Sequence, residues 1–440
     1  MLATVHPPST GPIRSRDTEA NRRSYDIRPF APTSSEVRGA LVSMLLHGAI
    51  TSRGWVVIGH IGYHMIVSNT RKRFTYIPIL KWKAGEQQAL RDLFAADKSL
   101  VTPLAEITPA PWDYVRDQPT KTIDAQIGDV PEQILKHWGT DDIFIDLVHI
   151  DPADRLANGA HPVTSIFAAM RSQKIAAIPV TSVNRDGTYQ AAVASVVATD
   201  KRGVCIRLSD EEAFSENLPA LLASLLTLLV VAPSDVDLVI DMNAMVAGEE
   251  RRAAAAIRGL LHSLPHINLW RTITCAGSAF PENMTNLAAG IHTIPRSEWT
   301  CWALLASTRA SLPRLPTFGD YAIAHPALVE LDPRIITMSA NIRYTVTDGW
   351  LILRGRSIEK HGSDQYHVFC QTLITRPEYA GNSFSAGDDH INRCASAATG
   401  PGNATTWRRV GTNHHITFVL RQIANSSYPS NTGASTSGSQ

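Results

Sequence analysis

YIPILKWKAGEQQALRDL, residues Tyr76 to Leu93, changes its hydrophobic period within a few positions. Tyr76 to Leu80 is a short apolar run that leads into Lys81 and Lys83, the pattern of a buried strand whose last residues leave the core. Gly85 then punctuates a turn. Leu90 and Leu93 lie three apart with Arg91 and Asp92 between them, which predicts a helix with one apolar face. Strand, polar exit and helix recur in this order along most of the chain, and the fold is read from that rhythm.

Outward from this stretch, Val101 to Ile107 (VTPLAEI) is the second strand, with Glu106 near its end, and Thr122 to Trp138 the helix after it. Ile143 to Leu147 (IFIDL) is the third strand; it carries Asp146 and is followed by His149 and Asp151. A helix over Pro162 to Lys174 precedes the fourth strand, Ala176 to Val183, and Tyr189 to Thr199 reads as helix from its place between two strands. Gly203 to Leu208 (GVCIRL) holds Arg207 near its end, and Val236 to Asp241 (VDLVID) closes with Asp241 and Asn243. Helices are predicted at Leu218 to Val231, at Glu249 to Leu264, where Pro265 stops an Ala-rich run, and at Trp299 to Ser307. Leu269 to Cys275 is the seventh strand, and Pro313 to Pro326 is where an eighth falls.

Strands separated by helices are parallel βαβ units, and close to eight of them over about 250 residues is the count of a closed barrel. The rival is an open doubly wound sheet, which carries a GxGxxG turn after its first strand when it binds dinucleotides. Lys81-Trp82-Lys83-Ala84-Gly85 is no such turn. The expected fold is therefore α/β: a (β/α)8 TIM-barrel-like domain over 74–335 with a C-terminal antiparallel β-rich extension over 336–424. In that extension Asn341 to Thr347 and Gly349 to Gly355 read as two strands joined at Asp348-Gly349, a strong hairpin dipeptide. Residues 1–70 are rich in Pro, Ser and Thr, and they read as a poorly ordered extension or as sequence upstream of a true start at Met65. The Ser, Gly, Thr and Asn of 425–440 predict a disordered tail.

Hydrophobic residues make up 44% of the 440 and charged ones 18%, which supplies ample material for a core. The net charge of +1 gives no overall field that would hold nucleic acid or anionic lipid. Five scattered cysteines with no CxxC pair argue against a disulfide framework or a structural zinc site, and point to reduced thiols in the cytoplasm. No run reaches the roughly 18 consecutive apolar residues of a membrane helix.

The chain resembles the beta protein family of phage and bacterial genomes. The residues that carry the resemblance are Tyr76 to Leu90, PLAEI at Pro103 to Ile107, FIDL at Phe144 to Leu147, GVCIRL at Gly203 to Leu208 and FGDY at Phe318 to Tyr321. FSAGDDHI at Phe384 to Ile391 and TTWRRVGTNHHIT at Thr405 to Thr417 extend it to the C-terminal region. The resemblance spans roughly 74–424 and implies a part in phage and host conflict, with no settled biochemical activity.

In a (β/α)8 barrel the active site lies where strand C-termini meet the following loops. Those positions are Lys81 and Lys83, Glu106, Asp146, Arg207, Asp241 and Asn243, and Asp320. A charged residue ending a strand is more often a solvated rim residue or half of an ion pair than a catalyst. Taken as a set, Lys81, Lys83 and Arg207, with Asn243 and Asp320, form a candidate binding pocket for a phosphate or carboxylate. Glu106, Asp146 and Asp241 could hold a divalent cation or share acid and base roles in phosphoester or nucleotide chemistry. A second cluster, Asp388, Asp389 and His390 with Trp407, Arg408, His414 and His415, reads as structural packing or a partner surface, its spacing matching no metal motif. Two functions follow: a barrel with an anion-binding pocket, or a scaffold whose C-terminal region recognises a protein or nucleic-acid partner.

Overall fold

A period of two sorts the strands. In the computed structural model, which describes residues 76–329, 332, 334 and 337–426, β1 (Tyr76–Lys81) is followed by β2 (Leu104–Glu106) and by a small ribbon of β3 (Trp112–Asp113) and β4 (Gln118–Pro119). Then come β5 (Ile143–Asp146), β6 (Ala177–Thr181), β7 (Val204–Ser209), β8 (Val236–Ala244) and β9 (Thr272–Ser278). After β9 lie β10 (Gly290–Pro295), β11 (Thr317–Asp320), β12 (Ser339–Val346) and β13 (Gly349–Ser357). The expected extension at 1–70 and the tail beyond Ser426 lie outside the described residues.

Eight strands form a closed barrel in which β1, β2, β5, β6, β7, β8, β9 and β11 are neighbours in chain order. All eight pairings are parallel, and β1 with β11 closes the ring. This closure rules out the open doubly wound sheet. Ile77, Ile79, Leu104, Phe144, Cys205 and Val239 fill the interior. Their neighbours Tyr76, Leu80, Ala105, Ile145 and Ile206 face the surrounding helices. Both faces are buried, so the strands read as unbroken apolar runs. Lys81, Glu106, Asp146, Arg207 and Asp241 each stand two residues beyond an interior residue, and alternation turns all of them into the barrel at its C-terminal end.

The antiparallel part is a three-stranded sheet, β10-β13-β12. Its hairpin falls where Asp348-Gly349 predicts it, and its third strand comes from the connection after β9. The C-terminal region also holds helices at Gln365–Ile374, Ala386–Ala395 and Ala404–Asn425. The pair His414-His415 lies in the last of these. Ile416, Val419 and Leu420 of that helix join the apolar layer around the barrel. It thus serves as the eighth barrel helix, reached only after the chain has built the small sheet.

Phe318 of β11 is 1% exposed. Its ring meets Trp299 edge-on with centroids 5.2 Å apart, Trp302 at 5.7 Å and Tyr76 stacked at 5.9 Å. Replacing Phe318 by Ala is expected to cost about 3–5 kcal/mol in urea unfolding; a loss below about 1 kcal/mol would show that the closing strand is not packed as described.

Candidate functional site

The strand-end charges meet on one guanidinium. Arg207 of β7 donates from Nε to Asp241 Oδ2 at 2.9 Å, from Nη1 to Asp146 Oδ2 at 2.8 Å, and from Nη2 to Glu106 Oε1 at 2.9 Å. Nη2 also reaches the Tyr321 hydroxyl at 2.6 Å, and that hydroxyl donates to Asp241 at 2.5 Å. Around this centre, Arg185 donates to the other Asp146 oxygen at 2.6 Å. His149 Nε2 lies 3.3 Å from Glu106 Oε2, and Lys81 Nζ lies 3.8 Å from the same oxygen. Burial alone would raise the Glu106 carboxyl, but Arg207, the His149 hydrogen bond and Lys81 together hold it at about 2. Burial likewise works against the Arg207 charge, and its tyrosine and carboxylate neighbours overcome it.

This floor is nearly neutral in itself, with its carboxylates turned onto arginines. Among the described residues no group of three or more His, Cys, Asp or Glu is arranged to hold a metal ion.

Above the floor lies a cavity of about 320 Å³. Lys81 links the two levels, donating to the carbonyls of His325 and Pro326 at 2.8 Å each. Lys83 is exposed on the cavity wall and takes no part in the floor. Two arginines from the C-terminal region complete the wall: Arg343 of β12 and Arg408 of the Ala404–Asn425 helix. Both donate to the carbonyl of Ile323, at 2.8 and 3.1 Å. Arg408 faces Glu86 at 3.4 Å. Among the described residues, the other lining carboxylate is Glu282. A Cβ on Gly85 would stand 2.5 Å from Arg408 Cγ, so only glycine lets this arginine cross the start of the Ala84–Arg91 helix.

Of the residues read from the sequence, Lys81, Glu106, Asp146, Arg207 and Asp241 are brought together. Asn243 sits beside them: its backbone N–H donates to Asp241 at 3.0 Å, and its side chain reaches Asp210 at 3.4 Å. Asp320 points the other way. One residue out of phase with Tyr321, it accepts from the Tyr76 hydroxyl at 2.5 Å and pairs with His415 at 2.8 Å, against the last helix. His414 pairs with Asp388 at 2.9 Å and stacks on Tyr344, so these members of the second cluster pack within the C-terminal region. Trp82 is buried, its indole N–H donating to Gln133 at 3.1 Å. Arg185, Tyr321 and Arg343 are site residues that sequence reasoning missed. Tyr321 could have been found by counting alternation one step beyond Asp320.

The model of a family described as Beta protein matches residues 76–421. No relative is found among curated proteins. Among solved structures, the chain is similar to formimidoylglutamase from Bacillus subtilis subsp. subtilis str. 168, at 11% identity over 60% of this chain and 81% of that one, with a TM-score of 0.19. A likeness that loose carries nothing about activity.

Because the Glu106 carboxyl is held below its ordinary 4.5, at about 2, its ionised form stabilises the fold at neutral pH, and that contribution is lost as pH falls between those values. A depression of this size corresponds to about 3 kcal/mol. Urea unfolding between pH 5 and pH 2.5 is expected to show a smaller loss of stability for Glu106→Gln than for the parent chain; equal losses would contradict the assignment.

Proposed function

The chain belongs to the Beta protein family, and from that premise and the chemistry of the barrel mouth we propose that it binds a small anionic ligand in the cavity above Arg207. The observation that carries this reading is a surplus of positive charge. Among the described residues, Lys81, Lys83, Arg343 and Arg408 line the cavity against two carboxylates, Glu86 and Glu282. Two helices also begin there. Ala84, Gly85 and Glu86 open one and Ala404 and Thr405 the other, and first-turn N–H groups have no carbonyl of their own helix to reach. Backbone donors of this kind, with the positive end of the helix dipole, favour anions.

In this reading Glu106, Asp146 and Asp241 hold Arg207 and Lys81 in place beneath the ligand. Arg343 and Arg408 belong to the C-terminal region, so that region acts with the barrel mouth as one site and not as a separate reader of macromolecules. Phage and host conflict, the setting implied by the family likeness, is kept as the biological context of this binding.

Calorimetric titration of the full chain with inorganic phosphate tests the reading. Arg343→Ala is expected to weaken binding about tenfold or more, as loss of a charge-assisted hydrogen bond does. Lys83→Glu, a change at an exposed residue that leaves the fold intact, should weaken it as well. Absence of phosphate binding, or binding indifferent to both changes, would overturn the proposal.

A further inference from the structure

The cavity lining combines cations with apolar side chains, and together they select among anions. On the cationic side, Arg343 and Arg408 are each within one hydrogen bond of the same carbonyl oxygen, that of Ile323, which holds two like charges side by side. Arg408 has Glu86 nearby. The polar contacts of Arg343 are the Ile323 carbonyl and Asn341 Oδ1 at 3.3 Å, and its guanidinium lies 4.8 Å over the Phe280 ring. Burial, and then the adjacent Arg408, push the Arg343 guanidinium well below its usual range, which the nearby Glu86 only partly offsets. If Lys81 is counted with the floor whose acid Glu106 it faces, the cavity keeps, among the described residues, Lys83, Arg343 and Arg408 against Glu86 and Glu282. Two helix N-termini add about half a positive charge each. The surplus approaches two charges, which a dianion neutralises and a monoanion does not.

Apolar side chains share the lining. Phe280 and Met284 follow β9, while Ala324, Ala327, Leu328 and Val329 follow β11. Phe280 is fixed from behind by an edge-on contact with Trp350, centroids 5.0 Å apart. Phe280 and Met284 are buried, whereas a free inorganic anion would leave the partly exposed Ala324, Leu328 and Val329 against water. A volume of about 320 Å³ lies at the low end of small-molecule pockets, which run from about 300 to 1,000 Å³, and suits a ligand with one modest hydrophobic body.

We infer that the ligand is a phosphomonoester whose dianionic phosphate bridges Arg343 and Arg408 and whose apolar or aromatic body lies against Phe280, Met284 and Leu328. A phosphomonoester carries a charge of about −1.5 to −2 at pH 7 and three acceptor oxygens, enough for two guanidiniums and a backbone N–H. The inference rests on the anion-binding reading of the same cavity and adds the charge and the body of the ligand to it.

The test is a calorimetric titration of the full chain with phenyl phosphate, its near-isosteric monoanion phenyl sulfate, and inorganic phosphate. Phenyl phosphate is expected to bind at least about tenfold more tightly than either of the others. Leu328→Asn should remove its advantage over inorganic phosphate, and an advantage that survives the change would overturn the apolar contact. Equal affinity for phenyl phosphate and phenyl sulfate would overturn the dianion assignment while anion binding stood. Equal affinity for phenyl phosphate and inorganic phosphate would overturn the apolar contact. Binding by none of the three would remove both this inference and the reading beneath it.

Discussion

A single guanidinium holds the interior of this barrel together. Glu106, Asp146 and Asp241 arrive from three strands into a space with almost no water access, and each would bear a heavy desolvation penalty if left alone. Arg207 offers every one of its nitrogens to them. Lysine would not replace it, because a point charge cannot present a planar fork to acids in three directions. The arrangement also requires alignment: Lys81, Glu106 and Asp146 are register partners across β1, β2 and β5. A one-residue slip in any of these strands would turn a charge into the apolar layer outside.

Neutralising the floor moves the functional question upward. Charges already bound to one another have little left for a ligand, whereas among the described residues the wall above holds cations that outnumber its acids. That wall is made jointly by the barrel and the C-terminal region, and its two halves are held by buried polar contacts as much as by apolar ones. Asn413 donates to the carbonyl of Ala89 and accepts from the N–H of Gly387, and His415 ties Asp320 to Thr345. Such contacts are costly to leave half made, so they fix one docking geometry for the last helix and with it the position of Arg408.

The barrel was legible in the sequence because strands covered on both faces leave an unmistakable mark, apolar runs spaced by helical stretches. The floor was legible too, since Lys81, Glu106, Asp146, Arg207 and Asp241 are charged residues at the ends of such runs. Asp320 looked the same in the string but belongs to the opposite face, and only its phase relative to Phe318 separates it from Tyr321. Arg343 gave no signal: it sits mid-strand in a hairpin whose docking partner is distant in the chain. The last helix was obscured by burial of Asn413, His414, His415 and Thr417, polar residues that break the apolar stripe by which helices are recognised. Their partners lie far away in sequence, so no local pattern could reveal that they are satisfied.

The claim that Arg207 is the keystone is tested most directly by urea unfolding of Arg207→Met at pH 7 and at pH 4. Removing the guanidinium leaves Asp241 buried without a counterion, Asp146 with Arg185 alone and Glu106 with the more distant Lys81 and His149, and a deficit of about 3–5 kcal/mol is predicted at pH 7. Those acids would then take up protons more readily in the folded chain than in the unfolded one, so the deficit shrinks at pH 4. A deficit below about 1 kcal/mol, or one identical at both pH values, would contradict the account.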